Sequence, residues 1–329
     1  MESLISIENL CVDYRVREGW LSAVNGVTFD VGKGEIFALV GESGCGKSTI
    51  AYTIMRLFMD GNSKVTGKVE FEGRDLLQAT DAQMEQIRGS EIGMIFQNPL
   101  DSLNPVYRSG RQVQEAILLD RTSRAEAWER VLALYRDVRI PDPERRSLAF
   151  PHELSGGMRQ RVMIAMMLAR KPQLLIADEP TTALDVTVEA QILAIMKTLR
   201  DELGASILLI THNFGIVAQL ADRVGIMYAG ELIEVGNVFD IFSDPRHPYS
   251  KALLSALPRI RKSKGRIESI EGSVPRIIGE FEGCRFSNRC PAAAPVCRTA
   301  APAATNISDS HYIRCHHNPE GDEPGKVFT

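Results

Sequence analysis

The sequence has no apolar run of the about 20 residues that a membrane-crossing helix needs. The nearest candidate, Ala205 to Ala221, is interrupted by Thr211, His212 and Asn213. Any role at a membrane is therefore expected to pass through partner proteins. Excess positive charge is missing too: the formal net charge is -4, which leaves no electrostatic footprint for nucleic acid. The N-terminal stretch MESLISIENL has no basic region followed by an apolar one, so a secretory signal is not expected. Internal repeats and extended low-complexity tracts are also lacking. What is present is a globular balance over 329 residues, with 44% hydrophobic residues. That is enough for a real core, and the length suggests two domains, or one with an appendage.

Cysteine is scarce and unevenly placed. Cys11 and Cys45 stand alone, while Cys284, Cys290, Cys297 and Cys315 crowd into the tail. Without an export signal, a metal site is favoured over a disulfide framework. The tail cysteines are separated by five, six and seventeen residues. Four thiolates suit either a [4Fe–4S] cluster or zinc. The short knuckles usual for structural zinc are missing, which favours the cluster, with free thiols as a third reading. His311, His316 and His317 are spare nitrogen donors.

Short β-branched runs at Leu4 to Ile7, Val24 to Val31 and Glu35 to Val40 predict strands. Ile36 to Val40 is continuously apolar, as for a strand buried on both faces. It runs into a glycine-rich turn and then a helical pattern, Thr49 to Phe58. Residues 98–152 read as helical, broken by Pro141 and Pro143, and Met158 to Arg170 as a further helix. Buried strands at Leu174 to Ala177 and Ile207 to Ile210 flank a helix from Val186 to Leu203. Alternating strands and helices predict an α/β fold with a parallel sheet. The character changes after about Gly236. Pro258 to Arg266 reads as a linker, and Ala292 to Thr305 as largely irregular.

Gly41-Glu-Ser-Gly-Cys-Gly-Lys-Ser48 fits the phosphate-loop pattern G-x-x-x-x-G-K-[ST] between a strand and a helix. Glycines let backbone N–H groups curl around phosphate oxygens. The helix that follows offers its positive end to the anion. Gly41, Ser43, Gly44, Cys45, Gly46, Lys47, Ser48 and Thr49 are the candidate nucleotide-binding residues. Lys47 is expected to reach the outer phosphates and Ser48 to offer a hydroxyl to Mg²⁺. Leu174-Leu-Ile-Ala-Asp178 delivers a carboxylate to the end of a buried strand, where ligands bind in open α/β folds. Asp178 is the candidate Mg²⁺ ligand, and Glu179 the group that orients or deprotonates an attacking water. Cys45 sits near the positive end of a helix, which predicts a lowered thiol pKa and inhibition by alkylation.

Together with further motifs, these residues resemble the ATP-hydrolysing subunits of ABC transporters. Leu154-Ser-Gly-Gly-Met158, followed by Arg159-Gln160-Arg161, resembles the signature of that family, with Met158 in place of the more common glutamine. Ser155 is also a good helix N-cap. Gln97 resembles the Q-loop glutamine, Ala183-Leu184-Asp185 the D-loop, His212 the switch histidine, and Tyr14 the adenine-stacking aromatic. The resemblance covers about residues 4 to 236. It implies a P-loop NTPase core with a β subdomain and an inserted helical subdomain at about 98–155, within an ATPase domain at 1–240. It also implies that two such subunits sandwich ATP, with Ser155, Gly156 and Gly157 meeting the other subunit's nucleotide. Gln97 would sense the γ-phosphate and Mg²⁺, and His212 would stabilise transferring charge.

Asp244-Pro-Arg-His-Pro-Tyr-Ser-Lys-Ala-Leu-Leu254 resembles a segment found after the ATPase core in the peptide/nickel import subfamily, as does residues 149–158. Some members end in an extension similar to iron–sulfur proteins, here 241–329. This implies a second ATPase, expected to be a different chain, two transmembrane permeases and an extracytoplasmic solute-binding protein. The subunit would then sit at the cytoplasmic face of the membrane. Nickel or another small solute is the alternative cargo, and a redox-responsive regulator the alternative role.

Overall fold

The computed structural model describes residues 2–57, 61–97, 102–182, 185–255, 272–308 and 310–317. The chain divides into two compact units. One comprises Met1–Leu4, Val31–Ile36 and Gln78–Ile210; the other comprises Ile5–Asp30, Phe37–Leu77 and Thr211–Thr329. The linker expected at Pro258 to Arg266 and the D-loop residues Ala183 and Leu184 lie outside the described residues.

In the first unit, three parallel strands lie side by side. Ile92–Ile95 pairs with Leu174–Asp178 in register Ile92↔Leu174 to Ile95↔Ala177. Leu174–Asp178 in turn pairs with Ser206–Thr211, up to Asp178↔Ile210. Every residue of the three is buried, which explains their unbroken apolar sequences: strands covered on both faces cannot alternate. The helix Val186–Leu203 begins at Asp185, whose side chain accepts from Val188 N, and stops at Gly204. It buries Ile192, Ile195, Met196 and Leu199, an i, i+3, i+4, i+7 stripe.

The helical segment expected at 98–152 contains Ser109–Leu118, Arg124–Asp137 and Pro143–Arg146, and the further helix expected at Met158 to Arg170 is Gly156–Leu168, fourth in this series. Ser123 accepts from Glu126 N at the start of the second. The fourth is tied back by Arg161, 7% exposed, whose guanidinium donates to Val138 O at 3.1 Å and also to Arg139 O and Gln191.

In the second unit, the strand Ile36–Val40 runs parallel to Arg223–Tyr228, from Phe37↔Arg223 to Val40↔Ile226. Arg223–Tyr228 then pairs antiparallel with Glu231–Asn237. The sheet continues through His311–Arg314 to Ala304–Ser308, so the tail adds two strands. The expectation of irregular backbone through Thr305 missed Val296–Thr299, a short helix, and the start of the strand at Ala304. Ala304–Ser308 pairs with the nearby His311–Arg314, which in turn docks on Glu231–Asn237 more than seventy positions earlier, and local composition carries no sign of that docking. A separate antiparallel sheet has the order Gly19–Gly32, Ser3–Val16, Ser63–Phe71, Arg74–Asp75. Its long strands exceed the short runs read from sequence because one face is only half-buried and its polar residues masked the pattern.

Candidate functional site

The phosphate-loop candidates lie in the second unit. Ile36–Val40 ends at Gly41, and the helix Lys47–Ile54 starts at Gly46. Gly46 has φ +105, and a Cβ there would stand 2.4 Å from Ala23 O. No other residue fits both the backbone angle and the space. Ser43 and Gly44 are exposed, while Gly41, Cys45 and Lys47 are buried. The Lys47 ammonium folds into the curl of its own loop, donating to Gly41 O at 2.8 Å and Glu42 O at 3.0 Å. Ser48 and Thr49 occupy the first turn of the helix, at its positive end.

Cys45 corrects an expectation. It is 0% exposed, and burial pushes its thiol up, against the pull of the Lys47 charge 3.6 Å away. Desolvation of a fully buried thiolate outweighs both the helix end and the neighbouring charge. Tyr14 lies on Ser3–Val16, paired with Ser63, and is half-buried. His212 is exposed just beyond Thr211, in the turn that Asn213 closes by accepting from Gly215 N at 2.9 Å.

The first unit carries the carboxylates. Asp178 is the last residue of its strand and fully buried. Glu179 follows in the left-handed region, φ +47, with its N–H bonded to Ile210 O at 2.8 Å. A non-glycine residue held there costs about 1–3 kcal/mol and marks a position that surrounding structure enforces. Its Oε2 accepts from Thr182 Oγ1 at 2.7 Å and lies 3.5 Å from Gln97 Nε2. The structure therefore brings Gln97 and Glu179 together across 82 residues. The Asp178 carboxylate is a hard oxygen donor of the kind Mg²⁺ prefers.

Ser155 caps the helix Gly156–Leu168, accepting from Met158 N at 3.3 Å. A Cβ on Gly157 would stand 2.9 Å from Val188, so the second glycine allows two helices to approach closely. Gln160, one turn on, donates to Pro180 O at 2.7 Å and ties the signature helix to the segment after Glu179. Sequence reasoning missed Thr182 and named Gln160 only as part of the signature, because the partners of both are set by folding.

The tail cysteines are not disulfide-bonded. Burial pushes Cys284 up to about 11 and raises Cys290 and Cys315; nearby thiols raise each of them further. The four share one neighbourhood. Yet no group of three or more His, Cys, Asp or Glu among the described residues is placed to hold a metal ion. The expected metal centre is corrected to that extent: among the described residues Cys284, Cys290, Cys297 and Cys315 are not set as a metal-binding group. Two of the three candidate histidines are engaged elsewhere. His311 Nε2 meets Glu234 Oε1 at 2.8 Å, and His316 Nε2 meets Ala300 O at 2.9 Å.

A phosphate loop opening a helix, a buried strand ending in Asp-Glu, and a serine-capped Ser-Gly-Gly helix define an ATP-hydrolysing cassette of the ABC type. Comparison with known proteins agrees. Residues 24–182 match the ABC transporter family and residues 233–297 the oligopeptide/dipeptide transporter C-terminal region. The chain is similar to the dipeptide transport ATP-binding protein DppD of Bacillus subtilis (strain 168), with 46% identity over 96% of this chain and 95% of that protein. It is also similar to the oligopeptide transport ATP-binding protein OppD of the same organism, with 44% identity over 94% and 88%. Among solved structures, the dimeric post-hydrolysis state of the ATP-binding cassette MJ0796 bound to ADP and Pi superposes with a TM-score of 0.65. That likeness has 27% identity and covers 71% of this chain and 98% of the other. The chain belongs to the ABC transporter ATP-binding family, in its oligopeptide/dipeptide group. It is an ATPase that uses ATP with Mg²⁺. No helix among the described residues is long and apolar enough to cross a membrane.

Proposed function

We propose that this chain powers import of di- or oligopeptides, as one ATPase of a membrane complex. Likeness to peptide transport subunits over nearly the full length supports the cargo. In this reading the ATPase domain spans 1–240, with the helical subdomain at about 98–155, and 241–329 is the extension. Lys47 meets the outer phosphates, and Gly41, Ser43, Gly44, Cys45, Gly46 and Thr49 supply loop amides or line the loop. Ser48, Asp178 and Gln97 hold Mg²⁺, and Tyr14 stacks on adenine. Mg²⁺ supplies charge neutralisation on the phosphates.

Glu179 accepts the proton of the attacking water, and His212 stabilises the transferring charge. The observation that carries this assignment is Glu179 itself, held in a strained backbone conformation with its carboxylate fixed by Thr182 and reached by Gln97. Ser155, Gly156 and Gly157 meet the nucleotide of a second, different ATPase subunit. Two permeases and an extracytoplasmic solute-binding protein complete the assembly at the cytoplasmic face of the membrane.

Glu179→Gln tests the centre of this reading. Hydrolysis is expected to fall by at least about 100-fold while Mg·ATP binding, measured by equilibrium titration, persists. Unchanged turnover removes Glu179 from its role. Loss of peptide uptake in membranes carrying the same variant, with the other subunits present, tests the cargo; uptake of a metal ion lost in place of peptide uptake would transfer the assignment to nickel.

The four tail cysteines are proposed to ligate a [4Fe–4S] cluster. Support comes from four unbridged thiols, three of which have their pKa raised by others of the set; four thiolates are the usual ligand set of such a cluster. Anaerobically purified protein should be brown and contain iron and sulfide, and Cys290→Ser should lose both. Colourless protein with four titratable tail thiols overturns the proposal.

A further inference from the structure

The second position of the phosphate loop, Glu42, is gripped by the C-terminal extension. Arg289 meets it with both arms: Nη1 lies 3.0 Å from Oε2 and Nη2 donates to Oε1 at 3.2 Å. The Arg289 side chain is only 9% exposed. Its guanidinium also donates to Tyr228 Oη at 3.3 Å and to Gly272 O at 3.3 Å. Glu42 N–H donates to Tyr249 Oη at 3.2 Å. The rings of Tyr228, Tyr249 and Phe286 pack edge to face at 4.8 to 5.3 Å between centroids.

Arg285, four positions earlier, holds the other end of the loop. It donates to Ala229 O at 2.6 Å and Ser22 Oγ at 3.0 Å. Gly230 N, next to Ala229, bonds Cys45 O at 2.9 Å. Both arginines are carried by the turn that the cysteines frame, in which Cys284 N bonds Cys297 O at 2.7 Å and Arg289 N bonds Phe286 O at 3.0 Å.

A forked, shielded arginine–carboxylate pair is geometrically specific and stronger than an exposed ion pair. Two consequences follow for a loop that must bind a triphosphate. Arg289 cancels a carboxylate charge carried by the loop itself, which would otherwise repel the phosphates. It also orders the loop in advance, so that binding does not bear that entropic cost. We propose that Arg289 is a positioning residue for the nucleotide site, acting through Glu42, and that the C-terminal extension thereby sets the affinity for ATP. This rests on Gly41 to Ser48 being the phosphate loop.

Mg·ATP affinity and steady-state hydrolysis of the full chain test the proposal. Arg289→Ala is expected to raise both the Kd for Mg·ATP and KM about 10-fold, with kcat falling by less than KM rises. Arg289→Lys, which keeps the charge without the fork, should recover part of the affinity. Adding Glu42→Gln to Arg289→Ala should bring Kd back to within about 3-fold of the unaltered protein, because the repelling charge is then gone. A merely structural role for Arg289 predicts no such rescue. Unchanged Kd in Arg289→Ala, or strictly additive effects in the double variant, overturns the proposal. If Arg289→Ala does not fold, the Arg289→Lys and Glu42→Gln pair carries the same comparison. Lys47→Ala separates the two readings. Loss of binding there with Arg289→Ala unaffected refutes the role of Arg289 alone, and unchanged binding in Lys47→Ala refutes the phosphate loop itself.

Discussion

Lys47 and Cys45 show how much a single side chain's environment decides. Both sit in the same tight loop, and the ammonium donates to the thiol sulfur at 3.6 Å. The charge pulls the thiol toward ionisation, but burial is the larger effect and leaves it raised. Because the thiolate is the nucleophile, Cys45 is expected to react with iodoacetamide near neutral pH at least roughly tenfold more slowly than the same cysteine in unfolded chain. Peptide mass spectrometry of partly labelled protein measures this. Rapid labelling of Cys45 in the folded protein would show a loop that opens far more than its packing implies. Glu179 illustrates the complementary point. Its identity is visible beside Asp178 in the sequence, but its positive φ and its contacts with Thr182 and Gln97 arise from strands meeting.

Among elements, the strand Glu231–Asn237 is the joint between the nucleotide-binding unit's sheet and its extension. Glu234, 0% exposed, accepts from Arg246 N at 2.7 Å and His247 N at 2.9 Å, and meets His311. Burial pushes its carboxyl up, but the hydrogen bonds from His311 and these amides outweigh that and hold it below the usual range. His247 is buried and accepts from Tyr249 N at 3.0 Å. Burial depresses it from 6.5 to about 4, opposed by the Glu234 charge.

The sign of the linkage follows from these shifts. Between 6.5 and about 4 the unfolded chain takes up a proton on His247 that the folded chain refuses. Stability present above pH 6.5 is therefore lost as pH falls through that window, by up to roughly 3 kcal/mol. Glu234 adds a loss in the same direction below 4.5. Thermal melts across this range should show a falling Tm, and His247→Gln should flatten the slope. A Tm independent of pH from 6.5 to 4 would show that His247 is not held neutral.

At the scale of the whole molecule, the proposed sandwich of two ATPase subunits is the consequence of largest reach. Glu179→Gln with Mg·ATP, mixed with the second ATPase subunit, is expected to sediment at about the mass of a pair, and each protein to remain apart without nucleotide. Separate species under both conditions would overturn the sandwich. Much of the ATPase was legible beforehand. The loop Gly41 to Ser48, the strand ending at Asp178 and the capped helix after Ser155 depend on spacing within a few residues, and neighbouring backbone atoms are bound to the spacing that sequence dictates. Buried strands were equally plain, because burial on both faces leaves no polar position. The tail was not legible in this way. Its strands exist because Glu231–Asn237 offers an edge to His311–Arg314, and Arg289 reaches Glu42 across 247 residues. Sequence alone determined what chemistry this chain carries, since motif chemistry is local. Only the tertiary structure decided which distant groups steady it and left the Cys45 thiol buried, because burial and long-range pairing are properties of the packed chain.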